Sequence, residues 1–117
     1  MILKKIINKE LELVWSYMLD YENSLNPYPE RKNTIAKWKN NSQIDIKESK
    51  ELLKKAEEIR MLKISSEDCI HVACSINASC DYFISTNNVL IKKLKNYKLI
   101  KSVNPFDFIL KEGNSND

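Results

Sequence analysis

Residues 65–88, SSEDCIHVACSINASCDYFISTNN, decide the fold of this chain. The first part, 65–79, reads as a helix: Ser65 or Ser66 offers a cap, Glu67 and Asp68 favour its first turn, and Ala73, Ile76 and Ala78 continue the apolar pattern. Asp68 therefore lies near the helix start. The second part, 82–86, is a short β-rich run that ends in Asn87-Asn88, a turn or cap signal before an apolar and basic helix from Val89 to about Asn96. Ligands of open α/β sheets collect at the carboxyl ends of strands, which is where Asn87 falls.

Working outward toward the C-terminus, residues 99–103 read as a last strand, Asn104-Pro105 as a break, 106–111 as a short helix and 112–117 as a disordered tail. Upstream, residues 47–62 form a strongly amphipathic pattern in which Leu52, Ala56 and Ile59 recur at helical spacing. Residues 2–8 read as helix and 11–15 as a short strand ending at Ser16, an N-cap for a helix over 17–24 that Asn26-Pro27 stops. Glu22 sits on that helix, just after a strand end. A further helix over 29–40 is expected to pack Ile35, Ala36 and Trp38 and to turn its basic residues outward. Residues 40–43 form a polar connection, and 44–46 extend briefly.

Composition bounds the rest. At 117 residues with 43% apolar content, the chain suits one domain, residues 1–111, with a core of its own. A single Gly argues against Gly-rich phosphate loops and dinucleotide fingerprints. The N-terminal stretch carries Lys4, Lys5, Lys9, Glu10 and Glu12, unlike a signal peptide, and no apolar run is long enough to span a bilayer, so a cytoplasmic location away from membranes is expected. Cys69, Cys74 and Cys80 lack C-x-x-C spacing and read as small core residues. The net charge of +3 is concentrated: Arg31, Lys32, Lys37 and Lys39 fall together, as do Lys92, Lys93, Lys95, Lys98 and Lys101, and each group is either a solvated face or a phosphate contact.

Two motif blocks carry a resemblance. The pattern D-x-x-H-V-A-C-x-I…C-D-Y-F-I-x-T, from Asp68 through Thr86, resembles the C-terminal half of a PIN domain, a family of metal-dependent nucleases that includes RNA-cleaving toxins of bacterial toxin-antitoxin pairs. E-L-E-L-V-W-S-Y-M-L-D-Y-E-N-S-x-N-P…R-K-N-x-I-x-x-W, from Glu10 through Trp38, is similar to a bacterial PIN subgroup. The resemblance implies a three-layer α/β fold with a small, mainly parallel sheet formed from residues 11–15, 82–86 and 99–103. It also implies an endoribonuclease, with RNA as substrate, an antitoxin protein as a possible partner and homodimerisation as a possible assembly.

Such a domain gathers about four acidic residues around Mg²⁺ or Mn²⁺, which activates a water and stabilises charge on the phosphate. The resemblance assigns Glu22 and Asp68 to catalysis and metal binding, and puts Asn87 where the family has an Asp. Arg31, Lys32, Lys92 and Lys93 are the candidate nucleic-acid contacts. The family pattern begins with a central strand bearing the first Asp, and this sequence starts at what would be the following helix. The chain is therefore expected to be N-terminally truncated or degenerate and weak or inactive as a nuclease, the alternative being a non-catalytic RNA-binding or protein-interaction module. The missing strand is expected to be replaced by direct pairing of its neighbours or supplied by another chain. His71, the only histidine, is expected to have a hydrogen-bonded packing role.

Overall fold

The computed structural model describes residues 2–115, with side chains described for 4–110. Seven helices and four strands alternate along these residues as α1 (Ile2–Ile7), β1 (Leu13–Ser16), α2 (Tyr17–Ser24), α3 (Pro29–Lys39), β2 (Ser42–Ile46), α4 (Lys50–Arg60), α5 (Ser66–Asn77), β3 (Tyr82–Ile84), α6 (Asn88–Lys93), β4 (Lys101–Val103) and α7 (Pro105–Ser115). Both strand pairs are parallel, β1 with β2 and β3 with β4, and the class is α/β.

Helix α5 is the centre of the core. Ser65 caps it by accepting a bond from Asp68 N at 3.3 Å, and its apolar face buries Cys69, Val72, Ala73 and Cys74. Helix α4 packs along it through Leu52, Ala56 and Ile59, residues spaced four and three apart so that they share one face. Ser49 caps α4 in the same way, its hydroxyl accepting from Leu52 N at 3.1 Å. Leu90, Leu94 and Ile100 close the same cluster from the C-terminal side.

The helices end without glycine. Lys9, Lys63 and Ser79 take left-handed backbone angles, with φ of 62°, 62° and 55°, just past the ends of α1, α4 and α5. After α5, Cys80 N donates to Ser75 O at 2.9 Å and Ser79 N to Ile76 O at 3.0 Å, which satisfies carbonyls the helix leaves open. The turn carries the chain directly into β3. With one Gly in the sequence, side-chain-bearing residues adopt a conformation that glycine meets at lower steric cost.

The sheet departs from expectation. Residues 11–15, 82–86 and 99–103 do not form one sheet: β1 pairs with β2, the segment taken for a connection and a brief extension, while β3 pairs with β4. In the first pair Val14 lies opposite Ile44, Trp15 opposite Asp45 and Ser16 opposite Ile46, with the register shifting between Leu13 and Val14. Gln43, skipped by that shift, still serves the pair, because its side-chain Oε1 accepts from Leu13 N at 2.8 Å. In the second pair Tyr82, Phe83 and Ile84 face Lys101, Ser102 and Val103. Among the described residues no ladder joins β1 to β3, so direct pairing of these strands does not occur; both strands nevertheless pack on α5.

Two further expectations are corrected. Helix α3 buries none of its residues: Ile35 and Ala36 are exposed and Trp38 is half-buried. It is tethered by polar contacts instead, with Asn23 Nδ2 donating to Lys32 O at 3.1 Å and Lys39 Nζ pairing with Asp20 at 3.1 Å and Asp45 at 3.7 Å. At the C-terminus, α7 continues to Ser115, past the tail boundary expected at 112, while residues 116–117 lie outside the described residues.

Candidate functional site

Glu22 reaches α5 because β1 hands the chain to α2 at a capped corner. Ser16 ends the strand, and its buried hydroxyl accepts from Leu19 N at 3.4 Å, which fixes the start of α2. Glu22 then lies in the second half of the helix, on the side facing α5. Its Oε1 is 2.8 Å from His71 Nε2 on α5, a hydrogen bond that spans 49 positions of sequence.

The pair is only partly sheltered, with 18% of the His71 side chain and 39% of the Glu22 side chain exposed. A ligand could therefore still reach the carboxylate. The signal available in the sequence was the position of the only histidine, three residues after Asp68 on the same helix.

Asp68 occupies the first turn of α5, half-buried and one turn before His71, on a neighbouring position of the same helix face. Its backbone N–H is taken by Ser65, while its carboxylate makes no hydrogen bond or ion pair among the described residues. A negative charge in a first helical turn is favoured by the helix dipole, so Asp68 is also a sound structural residue. His71 touches Glu22 and follows Asp68 by one turn, but among the described residues Asp68 does not join the two as a third member of one group.

Asn87 is committed to a cap. Its Oδ1 accepts from Leu90 N at 3.2 Å and opens α6, while its own N–H donates to Ser85 Oγ at 3.1 Å. Of the candidate cations, Lys93 is already engaged, its Nζ donating to Lys63 O at 2.6 Å and tying α6 to the end of α4. Arg31, Lys32 and Lys92 are exposed, and Arg31 stacks over the Tyr28 ring with its guanidinium carbon 5.0 Å from the centroid.

A second charged group was not legible beforehand. Asp20 accepts from the Trp15 indole N–H at 2.9 Å and from Lys39 Nζ at 3.1 Å, and Asp45 pairs with Lys47 at 2.9 Å. The Trp15 indole bond, then Lys39, hold the Asp20 carboxyl below its usual value. This group ties β1, α2, α3 and β2 together, and every one of its carboxylates has a cation beside it, so it is a structural network.

The three thiols are free. Burial pushes all three up, Cys74 to about 11 despite a hydrogen bond from Ser16 that works the other way, and they remain protonated and inert near neutral pH.

The carboxylate oxygens of Glu22 and Asp68 are hard donors of the kind Mg²⁺ and Mn²⁺ take. Among the described residues, however, no three His, Cys, Asp or Glu side chains come together as a metal-holding group. The donor set is right in kind and short in number, and by itself it does not compose a metal centre.

No family model matches this chain, and no curated protein and no solved structure is significantly similar to it. Among the described residues, no helix is long and apolar enough to cross a membrane.

Proposed function

We propose that this chain is a PIN-like domain that acts on RNA and whose acid site is incomplete. The observation that carries the reading is the Glu22–His71 hydrogen bond. Glu22 belongs to the Y-E-N block and His71 to the D-x-x-H block, so the two segments that carry the resemblance meet at Glu22, the acid the resemblance singles out in the first, and at His71, one turn after the acid it singles out in the second.

Glu22 and Asp68 would supply carboxylates, and Asn87 an amide oxygen whose cap bond leaves one lone pair open. A divalent ion, when bound, would polarise the phosphate and lower the pKa of an attacking water. His71 orients the Glu22 carboxylate, and Arg31, Lys32 and Lys92 are the cations offered to a phosphodiester backbone. Two formal charges in place of about four weaken the attraction for a divalent ion, so the activity of this chain is expected to be low or nil. A toxin of a toxin-antitoxin pair is the biological setting the resemblance implies.

The test is cleavage of single-stranded RNA in Mn²⁺. Activity that is absent or weak, and lost on either Glu22→Gln or Asp68→Asn, fits the reading. Robust metal-dependent cleavage that survives both substitutions contradicts it.

A non-catalytic RNA-binding or protein-interaction module is the second reading, and one observation favours it. Helix α3 buries no residue, and Tyr21, Leu25 and Tyr28 beside it are more than half exposed, at 52%, 64% and 58%. So much apolar surface on a tethered arm is characteristic of an interaction site.

A further inference from the structure

A groove of about 570 Å³ runs between α6 and β4, and neither Glu22 nor Asp68 lines it. Its construction is visible in the sequence from 91 to 103. Ile91, Leu94, Tyr97, Ile100 and Val103 recur every third residue and line it; Leu94, Ile100 and Val103 are packed into the core, at 1%, 5% and 7% exposed, so the apolar surface left to a ligand is that of the half-buried Ile91 and Tyr97. Lys92, Lys95, Lys98 and Lys101 follow each of the first four by one residue, and all four are exposed. An apolar floor is thus edged by a row of ammonium groups.

None of these four lysines forms an ion pair among the described residues, although Lys101 lies over the Tyr82 ring at 5.7 Å. Four like charges within ten positions repel one another, and a carboxylate-bearing partner relieves that repulsion. The groove also holds an unanswered polar group: the Ser102 hydroxyl, shielded from solvent, has no hydrogen-bond partner among the described residues. Its oxygen is closed off from solvent, so it belongs to the wall of the groove and is not offered to an occupant.

We propose that this groove docks an acidic amphipathic segment of another protein, with apolar side chains against Ile91 and Tyr97 and Glu or Asp side chains against the lysine row. The floor argues for a peptide over a nucleic acid, since bases gain their contact energy by stacking on aromatic faces and the only aromatic lining residue is Tyr97, half-buried. It argues against a lipid surface as well, because membrane-binding faces present protruding apolar residues and these are recessed. The inference rests on the groove; of its lysines only Lys92 is shared with the cations proposed for RNA, and the charge reversals below use Lys95 and Lys98.

The experiment is an amide-resolved NMR titration of the full chain with three probes: a synthetic peptide carrying Leu and Glu at helical spacing, the same peptide with every Glu replaced by Lys, and a uridine oligonucleotide. The acidic peptide is expected to shift the signals of residues 91–103 and to leave those around Glu22 and His71 unchanged. Reversing charge with Lys95→Glu and Lys98→Glu, both exposed positions, is expected to weaken it roughly tenfold or more, and added salt should do the same. Ile91→Gln is expected to weaken it several-fold, and should it fail to fold, the charge reversal decides alone. Equal binding by the basic peptide, tighter binding by the oligonucleotide at these residues, or no shifts with the acidic peptide would each overturn the proposal.

Discussion

His71 on α5 holds Glu22 on α2 across 2.8 Å, and this bond brings together two segments that lie 49 positions apart. Its geometry gives the histidine a definite task, the orientation of a carboxylate that is only partly sheltered. His71→Ala should therefore lower stability by about 1 kcal/mol, the net value of one partly sheltered hydrogen bond. Urea unfolding measures it, and hydrogen exchange should show the loss concentrated in α2. A variant as stable as the parent, with unchanged exchange in α2, would mean that the bond contributes nothing.

Asn87 has two separable roles, and substitution distinguishes them. As a cap, its Oδ1 receives Leu90 N, so Asn87→Ala should cost about 1 kcal/mol while Asn87→Asp stays near neutral, since Asp caps as well as Asn. As a metal-site position, only Asn87→Asp adds charge, and it should raise Mn²⁺ affinity by calorimetry. If the Asp variant is destabilised as much as the Ala variant, the cap assignment is wrong.

The pH dependence has an acid and an alkaline arm. The Asp20 carboxyl is held below its ordinary 3.8 by the Trp15 indole and then by Lys39, so it contributes stability above that value and loses it as the pH falls through the lower folded value. Asp20→Asn should flatten the acid limb of the stability profile. The Cys74 thiol is pushed up by burial to about 11 from 9.0, so its contribution is complete below pH 9.0 and is lost as the pH rises toward 11. In native protein, Cys69 and Cys74 should resist alkylation at about pH 8, with Cys80 slowly modified. Rapid modification of Cys74 would contradict its placement in the core.

The exposed face of α3 offers Arg31 and Lys32 to a phosphate backbone. Reversing both, Arg31→Glu with Lys32→Glu, should weaken binding of single-stranded RNA roughly tenfold and lower its salt dependence, because each lost phosphate contact reduces counterion release. Fluorescence anisotropy reads both quantities. Unchanged affinity and salt slope would remove α3 from the RNA surface.

Much of the fold could be read locally. Leu52, Ala56 and Ile59 announce α4, and Ser65 followed by Glu67 and Asp68 announces the start of α5, since caps and periodicity act within a few residues. Strand β2 was not legible: its apolar content is Ile44 and Ile46 only, and its pairing with β1 depends on a register shift covered by the Gln43 side chain. Helix α3 misled for the opposite reason, because Ile35, Ala36 and Trp38 look like a packed face, yet Ile35 and Ala36 are exposed and Trp38 is only half-buried. At the candidate site, Glu22 and Asp68 stood out through their motif blocks, while the Glu22–His71 contact depends on how α2 and α5 pack, which no local pattern encodes.

The central claim is that Glu22 and Asp68 are the two carboxylates of one incomplete divalent-ion site, and paramagnetic broadening tests it most directly. Mn²⁺ is titrated into the isotope-labelled chain, and the amide signals are followed residue by residue. The account predicts weak binding, with broadening at about 1 mM ion that begins together around Glu22, Asp68 and His71, is removed by Glu22→Gln or Asp68→Asn, and appears at lower ion concentration in Asn87→Asp. Broadening centred on other carboxylates, or around only one of Glu22 and Asp68, would contradict it.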